Sequence, residues 1–160
     1  PPDLPRLLAS KAVDFIGQFV VGRSLIETAA GEPAVILPYS DHLPDLYGNV
    51  ILARTEMIER QPEVVEAFVR ALMRGLQYSI DHPEETGEIL ARAVDGQDPD
   101  IAADEVRIMR DYVLPPDFEG HIGQIDPAKA ESMIAMLREA GAITGEVAVD
   151  DVFAPGFTGP

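Results

Sequence analysis

The sequence predicts a helix-rich α/β fold, with a few strands among five or six helices. Three observations lead there. From residue 55 onward, apolar residues recur at helical spacing in one segment after another. Before that point three short apolar runs, bounded by glycine, proline and polar residues, read as buried strands. Hydrophobic residues make up 46% and charged residues 25% of the chain, which is globular rather than disordered composition. The 160 residues suit one domain of ordinary size.

Leu4 to Ala12 reads as a short helix, and Ala12 to Ile16 as the first strand. The segment Gly17-Gln-Phe-Val-Val-Gly22 is a strand-to-helix turn. Arg23 to Ala30 is helical, with Leu25 and Ile26 as anchors and Gly31 as its stop. Ala34 to Leu37 is the second strand, ended by Pro38, and Tyr39 to Tyr47 is an irregular loop. Asn49 to Arg54 is the third strand. Thr55 to Arg60 makes a short helix, and Pro62 opens a long one, because a first-turn proline loses no hydrogen bond. Val65, Phe68, Leu72 and Leu76 form its expected stripe, running to about Ile80. Pro83 restarts the pattern with Ile89, Leu90 and Val94 inward, and Gly96 breaks it. Pro99 to Val113 carries Val106, Met109 and Tyr112 or Val113 on its apolar side. Asp126 caps a last long helix that starts at Pro127, buries Ala130, Met133, Ile134 and Leu137, and stops at Gly141. Asp150 to Pro155 is a docked turn.

Three strands this apolar need neighbours on both edges, and the sequence supplies none. The chain is therefore expected to be part of a larger α/β protein or to assemble with another chain. Its start at Pro-Pro, without Met, points the same way.

Twelve basic and 28 acidic residues give a net charge of −16. With no basic stripe to offset it, that charge repels phosphate backbones and anionic bilayers, so no nucleic-acid partner is expected. The absence of cysteine removes disulfides, thiolate metal sites and cysteine nucleophiles. No run approaches the roughly 20 apolar residues of a membrane span. The N-terminus has neither the charged nor the apolar region of a signal peptide.

Enzyme signals are weak. His42, His82 and His121 share no metal-ligand spacing, and no metal is expected. Asp41-His42 reads either as a catalytic or ligand pair or, as is commoner for such a dipeptide on a polar loop, as solvated side chains, and no serine sits in a nucleophile elbow. No glycine loop has phosphate-binding spacing, and no cofactor is expected. Two strand-end loops are better candidates. Gln18 and Phe19 lie where a strand meets a helix N-terminus, a place where ligands collect in open α/β sheets. Tyr39, Ser40, Asp41 and Tyr47 combine aromatic rings with hydrogen-bond acceptors. The alternative is that Phe19 and Tyr47 plug the core and Asp41 caps a turn, the chain then being a non-catalytic helical interaction or regulatory module whose amphipathic helices pack on a partner.

The order of motifs resembles one family. Val13-Asp-Phe-Ile-Gly17, Leu37-Pro-Tyr-Ser-Asp41 and Tyr47-Gly-Asn-Val-Ile-Leu52 come first. Pro62 to Gly75, Tyr78, His82-Pro-Glu-Glu85, Gly123-Gln-Ile-Asp126, Leu137 to Gly141 and Asp150-Asp-Val-Phe153 follow. Together they are similar to solute-binding proteins of ABC importers, of the thiamine-pyrimidine-precursor, riboflavin, sulfonate, taurine and nitrate type. The resemblance implies a partial periplasmic-binding-protein-like fold of two lobes that close on a solute. Residues 1–33 would end the second lobe, and residues 34–160 would cross the hinge and supply the C-terminal part of the first. It implies a small-molecule solute and ABC permease subunits as partners, with a homodimer or a missing N-terminal half completing the sheet. It also implies a periplasmic or cell-surface-anchored location, the targeting segment being absent from this chain. The family has an enzymatic branch with a cysteine-rich motif, which this sequence lacks, so no catalysis is expected. By position, the resemblance implies ligand contacts from Gln18, Phe19, Tyr39 and Asp41. Aromatic faces suit a flat heteroaromatic ligand such as a pyrimidine or a flavin. A sulfonate or nitrate would call instead on Arg23. Tyr47 completes the candidate set.

Overall fold

The computed structural model describes residues 4–116 and 118–157, so the Pro1-Pro2 start lies outside it. Eight α-helices follow in chain order: α1 (Leu4–Ala9), α2 (Arg23–Ala30), α3 (Thr55–Arg60), α4 (Pro62–Asp81), α5 (Pro83–Ala93), α6 (Pro99–Val113), α7 (Pro127–Glu139) and α8 (Val149–Val152). Short 3-10 turns stand at Val20–Gly22, Tyr39–Asp41 and Pro155–Phe157. The residues gather into two compact units. One comprises Pro1–Leu37 and Leu76–Phe118, the other Pro38–Gly75 and Glu119–Pro160.

The first unit is organised around α6. Asp98 caps it, Oδ1 accepting from the N–H groups of Asp100 at 2.9 Å and Ile101 at 3.1 Å, and Pro99 occupies the first turn. Its Ala102 and Ala103 are buried, and their small size lets α5 come close. Gly87 is the point of closest approach: a Cβ there would stand 2.2 Å from the Pro99 carbonyl oxygen and 3.1 Å from the Ala103 nitrogen. Arg107 of α6 clips the pair from outside, donating to Glu84 of α5 and Asp104 of its own helix. It holds the Glu84 carboxyl below the usual carboxylate range, and its own pKa is raised in turn. Against α6 also pack α2, with Ile26 buried, and the Val20–Gly22 turn, while α1 packs on α2. Tyr78, near the end of α4, stacks on His82 at 4.5 Å and donates to Glu85 at 2.7 Å.

The second unit is built on loops and the α7–α8 contact. Ala130 and Ile134 are the buried positions of α7, and Val65 and Val69 those of the first part of α4. The long loop between residues 41 and 55 is fixed by side chains rather than by a ladder. Ser132 of α7 donates to Asp45, and Tyr47 reaches the N-cap of α7.

The helices stand where the periodicity put them, including α2 with Gly31 in the left-handed region at φ 71°. The strands do not. Among the described residues no strand forms, so the observed class is helix-rich without a sheet. The three expected strands are extended or bent, and many of their large side chains face water, Phe15 being 85% exposed, Val35 89%, Leu37 85% and Leu52 86%, while Val13, Ile16 and Ile36 are half-buried. A strand exists only through a hydrogen-bonded neighbour. The 12–16 and 34–37 runs of the first unit do not pair, and the 49–54 run of the second finds no partner either. The α4 stripe is also corrected. Phe68 and Leu72 are exposed, and Val65, Val69 and Ile80 are the buried positions. Ile89 and Val94, expected inward, are exposed; Leu90 turns toward α6 as expected, beside Ala102, Val106 and Met109, but keeps 37% of its surface open, because Gly87 makes the closest contact of α5 with α6. Among the described residues, no helix is long and apolar enough to cross a membrane.

Candidate functional site

Gln18, Phe19 and Arg23 lie together in the first unit, around the 3-10 turn that leads into α2. The Gln18 Oε1 accepts from the Phe19 N–H at 3.2 Å, which folds this side chain back over the turn. It lies against Gly22, where a Cβ would meet its Cγ and Nε2 at 3.4 Å. The Gly22 N–H donates to the Phe19 carbonyl at 3.0 Å and closes the turn. Phe19 itself is 62% exposed, so it plugs no core. Arg23 opens α2 and donates through Nε to Glu27 Oε1 at 2.8 Å, and the same oxygen accepts from the Ala34 N–H at 3.0 Å. The Arg23 hydrogen bond, helped by the Ala34 N–H, holds the Glu27 carboxyl below its usual range. Beside the turn, a groove of about 200 Å³ is lined by Val21, Leu90, Ala102, Val106 and Met109, with Glu105 as its ionisable group. Burial pushes the Glu105 carboxyl up.

Tyr39, Asp41 and Tyr47 belong to the second unit. Tyr39 and Asp41 share one 3-10 turn, closed by the His42 N–H donating to the Tyr39 carbonyl at 3.0 Å. Both side chains are exposed, and so is His42. Tyr47 is different. It is half-buried, and its hydroxyl accepts from the Asp126 N–H at 2.9 Å and donates to the Asp126 carbonyl at 3.4 Å. Its ring lies 5.8 Å from that of Phe153, and Lys129 Nζ stands 4.9 Å from its centroid. Asp126 is also the α7 cap, its Oδ1 accepting from the N–H groups of Ala128 and Lys129. Tyr47 therefore anchors a loop to a helix start. The Asp126 cap was legible in the Asp-Pro dipeptide, whereas the parts of Lys129 and Phe153 carried no signal in the sequence.

Each group thus combines an exposed aromatic ring with a neighbouring amide or carboxylate, Phe19 with Gln18 and Tyr39 with Asp41. Among the described residues no three histidine, aspartate or glutamate side chains gather as a metal site. A family model described as NMT1/THI5 like matches residues 3–86, just over half of the chain. The chain belongs to the NMT1/THI5-like family. No curated protein and no solved structure matches it. NMT1/THI5-like membership supports a solute-binding role in transport, and the family is generally one of binding proteins rather than enzymes. It implies a small-molecule ligand and permease partners in general, and its members are typically periplasmic. All six candidate residues fall inside the matched span, and α6, α7 and α8 lie beyond it.

Proposed function

We propose that this chain captures a small, flat heteroaromatic solute, of the thiamine-pyrimidine-precursor or riboflavin kind, and delivers it to an ABC permease. The observation that carries the reading is the family match over 3–86, which spans every candidate residue. Phe19 and Tyr39 supply ring faces, while Gln18 and Asp41 supply edge contacts; Arg23 and Tyr47 border them. The pairing of Arg23 with Glu27 at 2.8 Å favours a heteroaromatic solute over a sulfonate, taurine or nitrate, since part of its donor capacity is already used. Capture proceeds by lobe closure, with residues 1–33 ending one lobe and 34–160 crossing to the other. The exposed extended runs at 34–37 and 49–54 take up strand partners from a second polypeptide, either another copy or an N-terminal half. The protein works in the periplasm or at the cell surface.

Native mass spectrometry of the purified protein tests solute and partner together. A retained mass matching a pyrimidine or flavin, or a complex with a second polypeptide, is the expected result. A bare monomer that stays bare after incubation with both ligand classes contradicts the reading.

A further inference from the structure

We propose that the second unit also holds a small organic cation with an apolar body, in the cavity between the start of α7 and α8; this site does not depend on the solute reading above. The cavity is a half-open depression of about 330 Å³. Ile125, Pro127, Val149 and Phe153 make most of its wall apolar, and both ionisable groups that line it, Glu131 and Asp150, are carboxylates. Phe153 is the aromatic residue of that wall.

Neither neighbouring cation, Lys129 nor Arg138, lines the cavity. Lys129 stands over the Tyr47 ring at 4.9 Å, and Arg138 donates through Nε to the Gly145 carbonyl at 3.2 Å. Asp151 is engaged as well, its Oδ2 accepting from the Ala148 N–H at 2.9 Å, whereas Asp150 beside it lines the cavity. The positive end of α7 does not convert the site to an anion site, because Asp126 already accepts from the N–H groups of Ala128 and Lys129. An anion would meet two carboxylates. The net charge of −16 further concentrates cations near the surface.

Titration of the full chain with phenethylammonium, followed by amide NMR shifts, tests the site against neutral 2-phenylethanol of nearly the same size. The ammonium is expected to shift amides of 125–131 and 148–153 saturably, with affinity about tenfold above the alcohol, the gain two partly exposed charge contacts supply. The double variant Glu131→Gln, Asp150→Asn should lower that affinity about tenfold with the helical circular dichroism unchanged. If Asp150→Asn disturbs α8, Glu131→Gln alone, on an exposed position of α7, should lower it about threefold. Absence of saturable shifts, equal affinity for ammonium and alcohol, or unchanged affinity in the variants would each overturn the proposal.

Discussion

The first unit is held by helix backbones in contact, the second by side chains reaching across loops. In the first, α5 and α6 meet at Gly87, where even a methyl group would collide with a carbonyl oxygen 2.2 Å away. In the second, one tyrosine hydroxyl bridges both backbone groups of Asp126, and Ser132 ties down Asp45. Close packing of small residues fixes geometry through sterics that no solvent relaxes. Polar anchors of exposed loops are each worth far less, since water competes for them. The same helix ending appears in both units with different residues. In α1, Ala12 N–H reaches the Leu7 carbonyl and Lys11 N–H the Leu8 carbonyl. In α7, Ala142 and Gly141 make the equivalent bonds to Leu137 and Arg138. Both ends need a left-handed residue, which is Gly141 at φ 71° in one and Lys11 at φ 58° in the other.

The sharpest way to break the contrast is Gly87→Ala. The gain in helix propensity is about 1 kcal/mol, but the rigid Pro99 carbonyl cannot yield without moving α6, so a net loss of about 2–3 kcal/mol is expected by thermal or urea unfolding. Gly75→Ala, in open space within α4, should instead stabilise by up to about 1 kcal/mol. Equal effects at the two glycines would show that α5 and α6 are not in backbone contact. In the second unit, Tyr47→Phe keeps the ring on Phe153 and removes the bridge to Asp126, for a loss of about 1 kcal/mol. Its amide signature should be confined to residues near 47 and 126. Lys11→Gly should stabilise by about 0.5–1 kcal/mol, and Gly141→Ala should cost a similar amount, both read from unfolding midpoints.

The smallest expected effect is a pH slope in the first unit. Glu27 and Glu84 have folded pKa values below 4.5, so the stability they confer is present above pH 4.5 and lost as pH falls through their folded values. Glu105 has the opposite sign: burial raises it, so it favours the fold below 4.5 and loses that contribution as pH rises. Glu27→Gln should flatten the acid limb of a stability–pH curve, and Glu105→Gln should raise stability at neutral pH. A steeper acid limb in Glu27→Gln would contradict the Arg23 pairing.

The sequence made the helices legible because their signals are local. Pro62, Pro83, Pro99 and Pro127 mark first turns, Gly31 and Gly141 mark ends, and Asp126 announces a cap. It made the strands illegible because a strand is a relation between segments. Val35, Leu37 and Leu52 have the composition of a sheet interior, yet among the described residues no segment pairs with them to turn that composition into a ladder. The face of α5 was legible only at Leu90, since periodicity weighs large apolar residues, whereas the closest contact is made by a glycine against Pro99 and Ala103. Of the candidate site, the exposed rings of Phe19 and Tyr39 lie in loops named from the sequence. The anchoring of Tyr47 depends on Asp126, 79 residues away, and no local pattern records that.

Thermal unfolding of the full chain with and without a saturating thiamine-type pyrimidine or riboflavin, beside Phe19→Ala and Tyr39→Ala, tests solute binding most directly. Binding at these loops predicts a stabilisation of about 2.7 kcal/mol at a hundredfold excess over Kd, reduced in both variants. Identical midpoints with and without every ligand, in a chain whose helices are intact, would contradict it.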